Sequence, residues 1–266
     1  MPRRVIFNLL LAFLFSWVQS VSARETGFLN RAVTVGSTTY RYQVYVPANY
    51  NLHVKLPVIL FLHGADFRGD DGILPTDVAL GKAIRRHNKQ WPAIVVFPQC
   101  RFNGLWFGDM ETLALKALDE SVKEFNGDSQ RLYLIGESMG GYGVWSFAAH
   151  HPGKFAALVP IAGGVMPPPN FPLPPEAAAE LAGILKSPNP YALFARLIGN
   201  TPVWVFHGDA DTLIPVTDAR KLVQALKTAG GNARYTEYVG GAHNIWEKVY
   251  AEPDFNKWLL SQQLNK

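Results

Sequence analysis

Cysteine is nearly missing from this chain: Cys100 is the only one in 266 residues, so no intramolecular disulfide can form and the core must supply the stability. Following the apolar run Ile94 to Pro98, Cys100 reads as a small buried hydrophobe rather than a nucleophile. Paired cysteines and a His-Glu-x-x-His spacing are missing too, and the seven histidines are scattered, which argues against a metal site. There is no dense Lys/Arg run: 25 basic residues stand against 21 acidic ones for a net charge of +4, a poor footprint for nucleic acid. No fixed-period repeat is visible, and 23 glycines with 19 prolines fall short of a low-complexity composition, which removes the fibrous and solenoid classes. Charged residues make up only 17% of the chain and hydrophobic ones 48%, enough to bury one sizeable core.

A hydrophobic run long enough to span a bilayer is also lacking. The apolar stretch from Val5 to Val18 is 14 residues long, where a spanning helix needs about 20. Preceded by Arg3-Arg4 and followed by the small residues Ser20 to Ala23, it has the three parts of a secretory signal peptide. Residues 1–23 are therefore expected to be cleaved after Ala23, leaving a secreted or periplasmic chain over 24–266 without stable membrane association. No cysteine sits at the cleavage point to carry a lipid.

Tyr40 to Val46 alternates with period two and stops at Pro47, which predicts a half-exposed antiparallel strand near a sheet edge. Val58–Leu62, Ala93–Phe97, Arg131–Ile135, Ala156–Ile161 and Val203–Phe206 are short, nearly continuous apolar runs, as strands covered on both faces of a parallel sheet require. Helical patterns separate them at 77–87, 111–125, 139–150 and 216–229, with a last one over 244–264. This alternation predicts an α/β fold with a mostly parallel central sheet and helices on both faces. Six prolines among residues 166–175 interrupt the rhythm and lead into two short helical pieces at 176–185 and 191–198. Residues 164–199 read as a proline-rich excursion over the sheet, either a cap that shapes a pocket or a plain surface loop.

Gly136-Glu137-Ser138-Met139-Gly140 lies between a strand and a helix. Such a turn is too tight for side chains at its flanks, and it lifts Ser138 above the sheet at a helix N-terminus, where developing negative charge is favoured. A serine nucleophile needs a base, and the base needs an orienting acid. Downstream, Val203–Phe206 is followed by His207-Gly-Asp209-Ala-Asp211, and Tyr235–Tyr238 by Gly240-Gly-Ala-His243. Asp211 is the chosen acid, Asp209 its competitor, and His243 the base. Backbone N–H groups of Met139 and Ala65, the latter in the His63-Gly64-Ala65 loop, are the candidate oxyanion donors. His63 and His207 read as structural.

These segments together resemble the α/β-hydrolase superfamily, and within it the secreted esterase and predicted-peptidase group related to polyhydroxybutyrate depolymerases and dienelactone hydrolase-like proteins. The resemblance covers most of residues 38 to 262 and rests on Leu62-His-Gly-Ala65, Arg68-Gly-Asp70, Phe97-Pro-Gln-Cys100, Gly136 to Trp145, Phe155 to Ile161, Val203 to Asp211 and Tyr235 to Trp246. It implies a Ser138, Asp211, His243 triad with Ala65 and Met139 as the oxyanion hole, and no cofactor. Asp66-Phe67 departs from the Gly-Glu usual before the Arg-Gly pair.

The expected activity is hydrolysis of carboxylic esters through an acyl-enzyme, with small acyl or aryl esters, free or linked to polysaccharide, as substrates. A serine peptidase and a non-catalytic binding protein on the same fold are the alternatives. Arg68 either binds an acidic or hydroxyl-bearing substrate or pairs with Asp70 or Asp71. Trp106, Phe107 and Trp246 either form an aromatic wall for an aryl group or sugar, or pack in the core.

Overall fold

The computed structural model describes residues 25–167 and 175–264. The expected signal peptide lies outside them, and so do seven residues of the proline-rich stretch.

Eight strands form one sheet in the order β1-β2-β4-β3-β5-β6-β7-β8. Strand β1 (Gly27–Val35) pairs antiparallel with β2 (Thr38–Val46), and β2 antiparallel with β4 (Ile94–Pro98). The rest run parallel: β3 (Leu56–Leu62), β5 (Gly127–Glu137), β6 (Ala157–Ile161), β7 (Val203–Gly208) and β8 (Ala233–Tyr238). The period-two strand is thus near the edge and antiparallel to both neighbours, as expected, but it is not half-exposed. Strand β1, whose mixed sequence carries little pattern of its own, lies outside it, and five of the last seven β2 residues, counted from Tyr40, form an unbroken buried run.

Strands β3, β4, β6 and β7 are nearly all apolar because both faces are covered, whereas the last strand, β8, is mixed in sequence and only half-buried. In β3, Val58, Leu60 and Leu62 join one core with helices α2 (Asp109–Glu124), α3 (Met139–His150), α5 (Pro190–Ile198) and α6 (Val216–Thr228). Ile59 and Phe61 face the opposite way, into a second core with α1 (Ala79–Arg86), α7 (Trp246–Tyr250) and α8 (Phe255–Ser261). The expected continuous helix over 244–264 is two helices, with Pro253 in the turn between them, where its ring and missing N–H block continuation. Among the described residues no helix is long and apolar enough to cross a membrane.

From β3 the chain moves outward to β4, then returns to β5 on the other side of β3 and continues to β8. The strand order therefore reverses between β3 and β5, and a crevice opens there at their carboxyl ends. The excursion re-enters beside it. Helices α4 (Pro175–Leu185) and α5 follow the proline stretch, and one buried carboxylate ties the excursion to α6. Asp218 Oδ2 accepts from the backbone N–H of Val165 at 2.7 Å, and Oδ1 from the Tyr191 hydroxyl at 2.6 Å. Replacing Asp218 by Ala strands one buried donor, the Val165 N–H, at a cost of about 1–3 kcal/mol, and removes the acceptor of the half-buried Tyr191 hydroxyl. Asp218→Ala is therefore expected to lower unfolding stability by about 2 kcal/mol or more, and limited proteolysis should cut first between residues 165 and 199. Unchanged urea unfolding and cleavage would remove Asp218 as the anchor.

Candidate active site

The turn from β5 into α3 passes so close to the end of β3 that no side chain fits at its flanks. A Cβ on Gly140 would overlap the Leu62 carbonyl, and one on Gly136 the Gly140 carbonyl. Between them Ser138 takes φ +53° and ψ −115°, a conformation that costs an L-residue about 1–3 kcal/mol. Its own N–H is spent on the Ile161 carbonyl at 2.9 Å. The strain aims Oγ into the crevice.

The Ser138 hydroxyl donates to His243 Nε2 at 2.8 Å, and His243 Nδ1–H donates to Asp211 Oδ2 at 2.7 Å. The second oxygen of Asp211 accepts the N–H groups of Leu213 and Ile214 at 2.8 and 2.9 Å. Asp209 is elsewhere: its Oδ1 caps the turn after β8 by accepting Gly240 N–H at 2.7 Å. The competing acid thus closes the loop that carries His243.

His207 has more to do than hold its turn. Fully buried, it donates from Nε2 to the Ile214 carbonyl at 3.0 Å, and the same nitrogen lies 3.3 Å from Asp211 Oδ2. Its Nδ1 has no partner among the described residues, and burial lowers its pKa. A neutral ring with the proton on Nε2 satisfies both facts. Sequence reading missed this second histidine on the carboxylate, although the His207 to Asp211 spacing was visible.

Ala65 and Met139 both line the crevice with Ser138. Each is the first residue of a helical segment, Ala65 of the 3₁₀ turn Ala65–Phe67 and Met139 of α3, so neither N–H has an intrahelical acceptor. His63 sets the direction of the Ala65 N–H. The Cys100 N–H donates to His63 Nε2 at 3.0 Å, which leaves the proton on Nδ1 to donate to the Gly64 carbonyl at 2.7 Å. That carbonyl belongs to the same planar peptide as the Ala65 N–H. Burial pushes the His63 pKa down to about 4, so the ring stays neutral. Cys100 is buried, and burial pushes its thiol up to about 12, as suits a packed thiol.

The crevice opens into a cavity of about 300 Å³, lined by Leu105, Trp106, Phe107, Trp145, Phe194 and Leu213 around the serine. Trp106 lines this cavity and also packs in the core: it is fully buried and donates from Nε1 to the His63 carbonyl at 3.0 Å. Phe107 is on the wall, but Trp246 is not. Trp246 packs edge-on against the His243 ring at 5.4 Å and belongs with the opposite core. Gly164, Val165, Pro167 and Phe194, all from the excursion, complete the wall. Arg68 also lines it, but pairs with neither Asp70 nor Asp71. Asp70 lies against Arg101, and Asp71 accepts the N–H groups of Ile73 and Leu74. Among the described residues no group of three His, Cys, Asp or Glu side chains is placed to hold a metal.

Glu137, next to Ser138 in the chain, faces the other way. It is fully buried, accepts the Tyr250 hydroxyl with Oε1, and has no partner for Oε2 among the described residues; burial pushes its pKa up to about 8. A carboxyl that ionises near 4.5 when unfolded and near 8 when folded contributes stability that is complete below 4.5 and lost as pH rises to 8. Glu137→Gln keeps an acceptor for Tyr250 and removes the ionisation. The variant should gain melting temperature over wild type at pH 9 relative to the difference at pH 5; a difference independent of pH would show that Glu137 is not held neutral.

The model of a family described as "Putative esterase" matches residues 36–258. An uncharacterized secreted protein of Arthroderma benhamiae is 23% identical over 244 residues, covering 88% of this chain and 26% of that protein. Among solved structures, a thermostable esterase superposes with a TM-score of 0.72 at 30% identity, covering 89% of this chain and 63% of the other. A ferulic acid esterase gives 0.66 at 18% identity, covering 88% and 97%. A fluorophosphonate-binding serine hydrolase of Staphylococcus aureus gives 0.67 at 17%, covering 89% and 99%. The chain therefore spans about a quarter of the Arthroderma protein's length and 63% of the thermostable esterase's.

Proposed function

The chain belongs to the esterase family whose model spans residues 36–258, and on that premise we propose that it is a secreted serine hydrolase that cleaves carboxylic esters through an acyl-enzyme. The observation that carries this reading is the unbroken hydrogen-bonded chain from Ser138 Oγ through His243 to Asp211, at 2.8 and 2.7 Å. In the proposed reaction Ser138 Oγ attacks the ester carbonyl and its proton passes to His243 Nε2. The N–H groups of Ala65 and Met139 receive the negative charge on the carbonyl oxygen. The tetrahedral adduct collapses, the C–O bond to the alcohol breaks, and the alcohol leaves with the proton from His243. Water then gives a proton to His243 and attacks the acyl-enzyme. Release of the acid returns the proton to Ser138, so no cofactor enters the balance.

Asp211 holds His243 in the Nδ1–H tautomer and stabilises its charged form. The apolar cavity supports small acyl or aryl esters: about 300 Å³ is at the lower end of the range for small-molecule pockets. The excursion over 164–199 acts in this reading as a cap, since Val165, Pro167 and Phe194 form part of that wall. Export is supported by the signal-like pattern at the N-terminus and by the description of the Arthroderma relative as secreted.

Ser138→Ala should reduce kcat/KM on 4-nitrophenyl butyrate by at least about 10³-fold with unchanged melting temperature. Asp211→Asn should cost about 10²-fold or more, and Asp209→Asn far less. A panel of 4-nitrophenyl acyl esters, methyl ferulate, acetylated xylan and peptide amides sizes the acyl site. Full activity in Ser138→Ala, or turnover of the amides alone, would overturn the esterase reading.

A further inference from the structure

Among the described residues that line the cavity, Arg68 is the only lysine or arginine, and none of them is an acid. Its guanidinium is held at two points. Nε–H donates to the Ala65 carbonyl at 2.9 Å, and Nη1 to the Gly104 carbonyl at 3.3 Å. Both acceptors are neutral, so they orient the group without cancelling its charge. The nearby acids are engaged elsewhere or point away: Asp70 lies against Arg101, Asp71 caps the next turn, and Asp66 is exposed. The charge is felt inside the fold, where it opposes protonation of His63 and favours ionisation of Cys100.

A half-buried cation without an acid beside it, on a wall that is otherwise mostly apolar, is costly unless an anion arrives to meet it. Two of its five N–H donors are spent on carbonyls, and the remaining three include both on Nη2. This free edge matches the two oxygens of one carboxylate. A single cation with no lysine beside it suits a singly charged group.

We propose that Arg68 forms an anion subsite and that the preferred substrates are esters bearing a carboxylate, with the apolar part of the chain against Leu105 and Phe107 and the ester carbonyl at Ser138. This rests on the esterase reading of the site and adds a substrate class to it. The carboxylate reaches Arg68 through the cavity that the two residues share, and it anchors the substrate without entering the bond-making steps.

The test compares matched esters on the full chain. Monomethyl adipate against dimethyl adipate places the charge on the acyl side; butyryl glycolate against its methyl ester places it on the alcohol side. In at least one pair the wild type should prefer the anion about tenfold in kcat/KM. Arg68→Gln should abolish that preference through KM, and Arg68→Lys should restore part of it. Because Arg68 also holds the Ala65 carbonyl, the neutral ester corrects each variant for any disturbance of the oxyanion loop. If Arg68→Gln slows both members of each pair by the same factor, Arg68 serves the loop alone and the proposal is wrong. If the wild type prefers the neutral ester in both pairs, it is equally wrong. Failure of the wild type to turn over any ester or to react with a fluorophosphonate would remove the esterase reading, and the subsite with it.

Discussion

Backbone contact between the turn at Gly136–Gly140 and the end of β3 is the constraint on which the site depends. Only glycine at both positions allows α3 to start against the Leu62 carbonyl. That approach puts Met139, the first residue of α3, and Ala65, the first of the turn after β3, on the crevice that Ser138 lines. The sheet supplies the rest of the geometry. Because strand order reverses between β3 and β5, the loop carrying Ala65 and the turn carrying Ser138 are neighbours with an open crevice between them. The strain at Ser138 is small beside the packing of two cores, one on each face of the sheet, which hold the strand and helix on either side of it.

Around this frame, two buried histidines hold backbone and carboxylate groups while a third, His243, is hydrogen-bonded to Ser138. His63 fixes the peptide plane that ends in the Ala65 N–H, and His207 sits against the Asp211 carboxylate. Both are buried, and burial keeps both uncharged. The Asp211 side chain is fully buried as well, and it is tolerated because the backbone of Leu213 and Ile214 and the ring of His243 supply donors to both oxygens. The same turn places Leu213 and Ile214 on the cavity wall, so the turn whose carboxylate holds the His243 ring also shapes the pocket.

The inner parallel strands were legible because burial on both faces leaves a nearly unbroken apolar run, a signal that needs no knowledge of partners. Ser138 and Asp211 were legible because each follows such a run and stands in a short glycine-containing turn; His243 follows the mixed strand β8 and was legible from the Gly240-Gly241-Ala242 turn before it. Strand β1 was not: its residues are mixed in polarity, and only pairing with β2 makes it a strand. The break before Pro253 was readable, since proline does not continue a helix, yet the apolar spacing across it outweighed that signal. Asp218 left no local trace, because its partners Tyr191 and Val165 lie 27 and 53 residues away in the chain. Arg68 was visible as a candidate, but its partners are backbone carbonyls, which no side-chain pattern reveals.

The claim that Ser138 is an activated nucleophile, from which the rest of the functional account follows, is tested most directly by mass spectrometry. The folded protein is treated with a fluorophosphonate, digested, and its peptides mapped. The account predicts one covalent adduct on the peptide containing Ser138, formed quickly at neutral pH and lost when His243 is replaced. An adduct on another residue, or none on a folded protein, would contradict it.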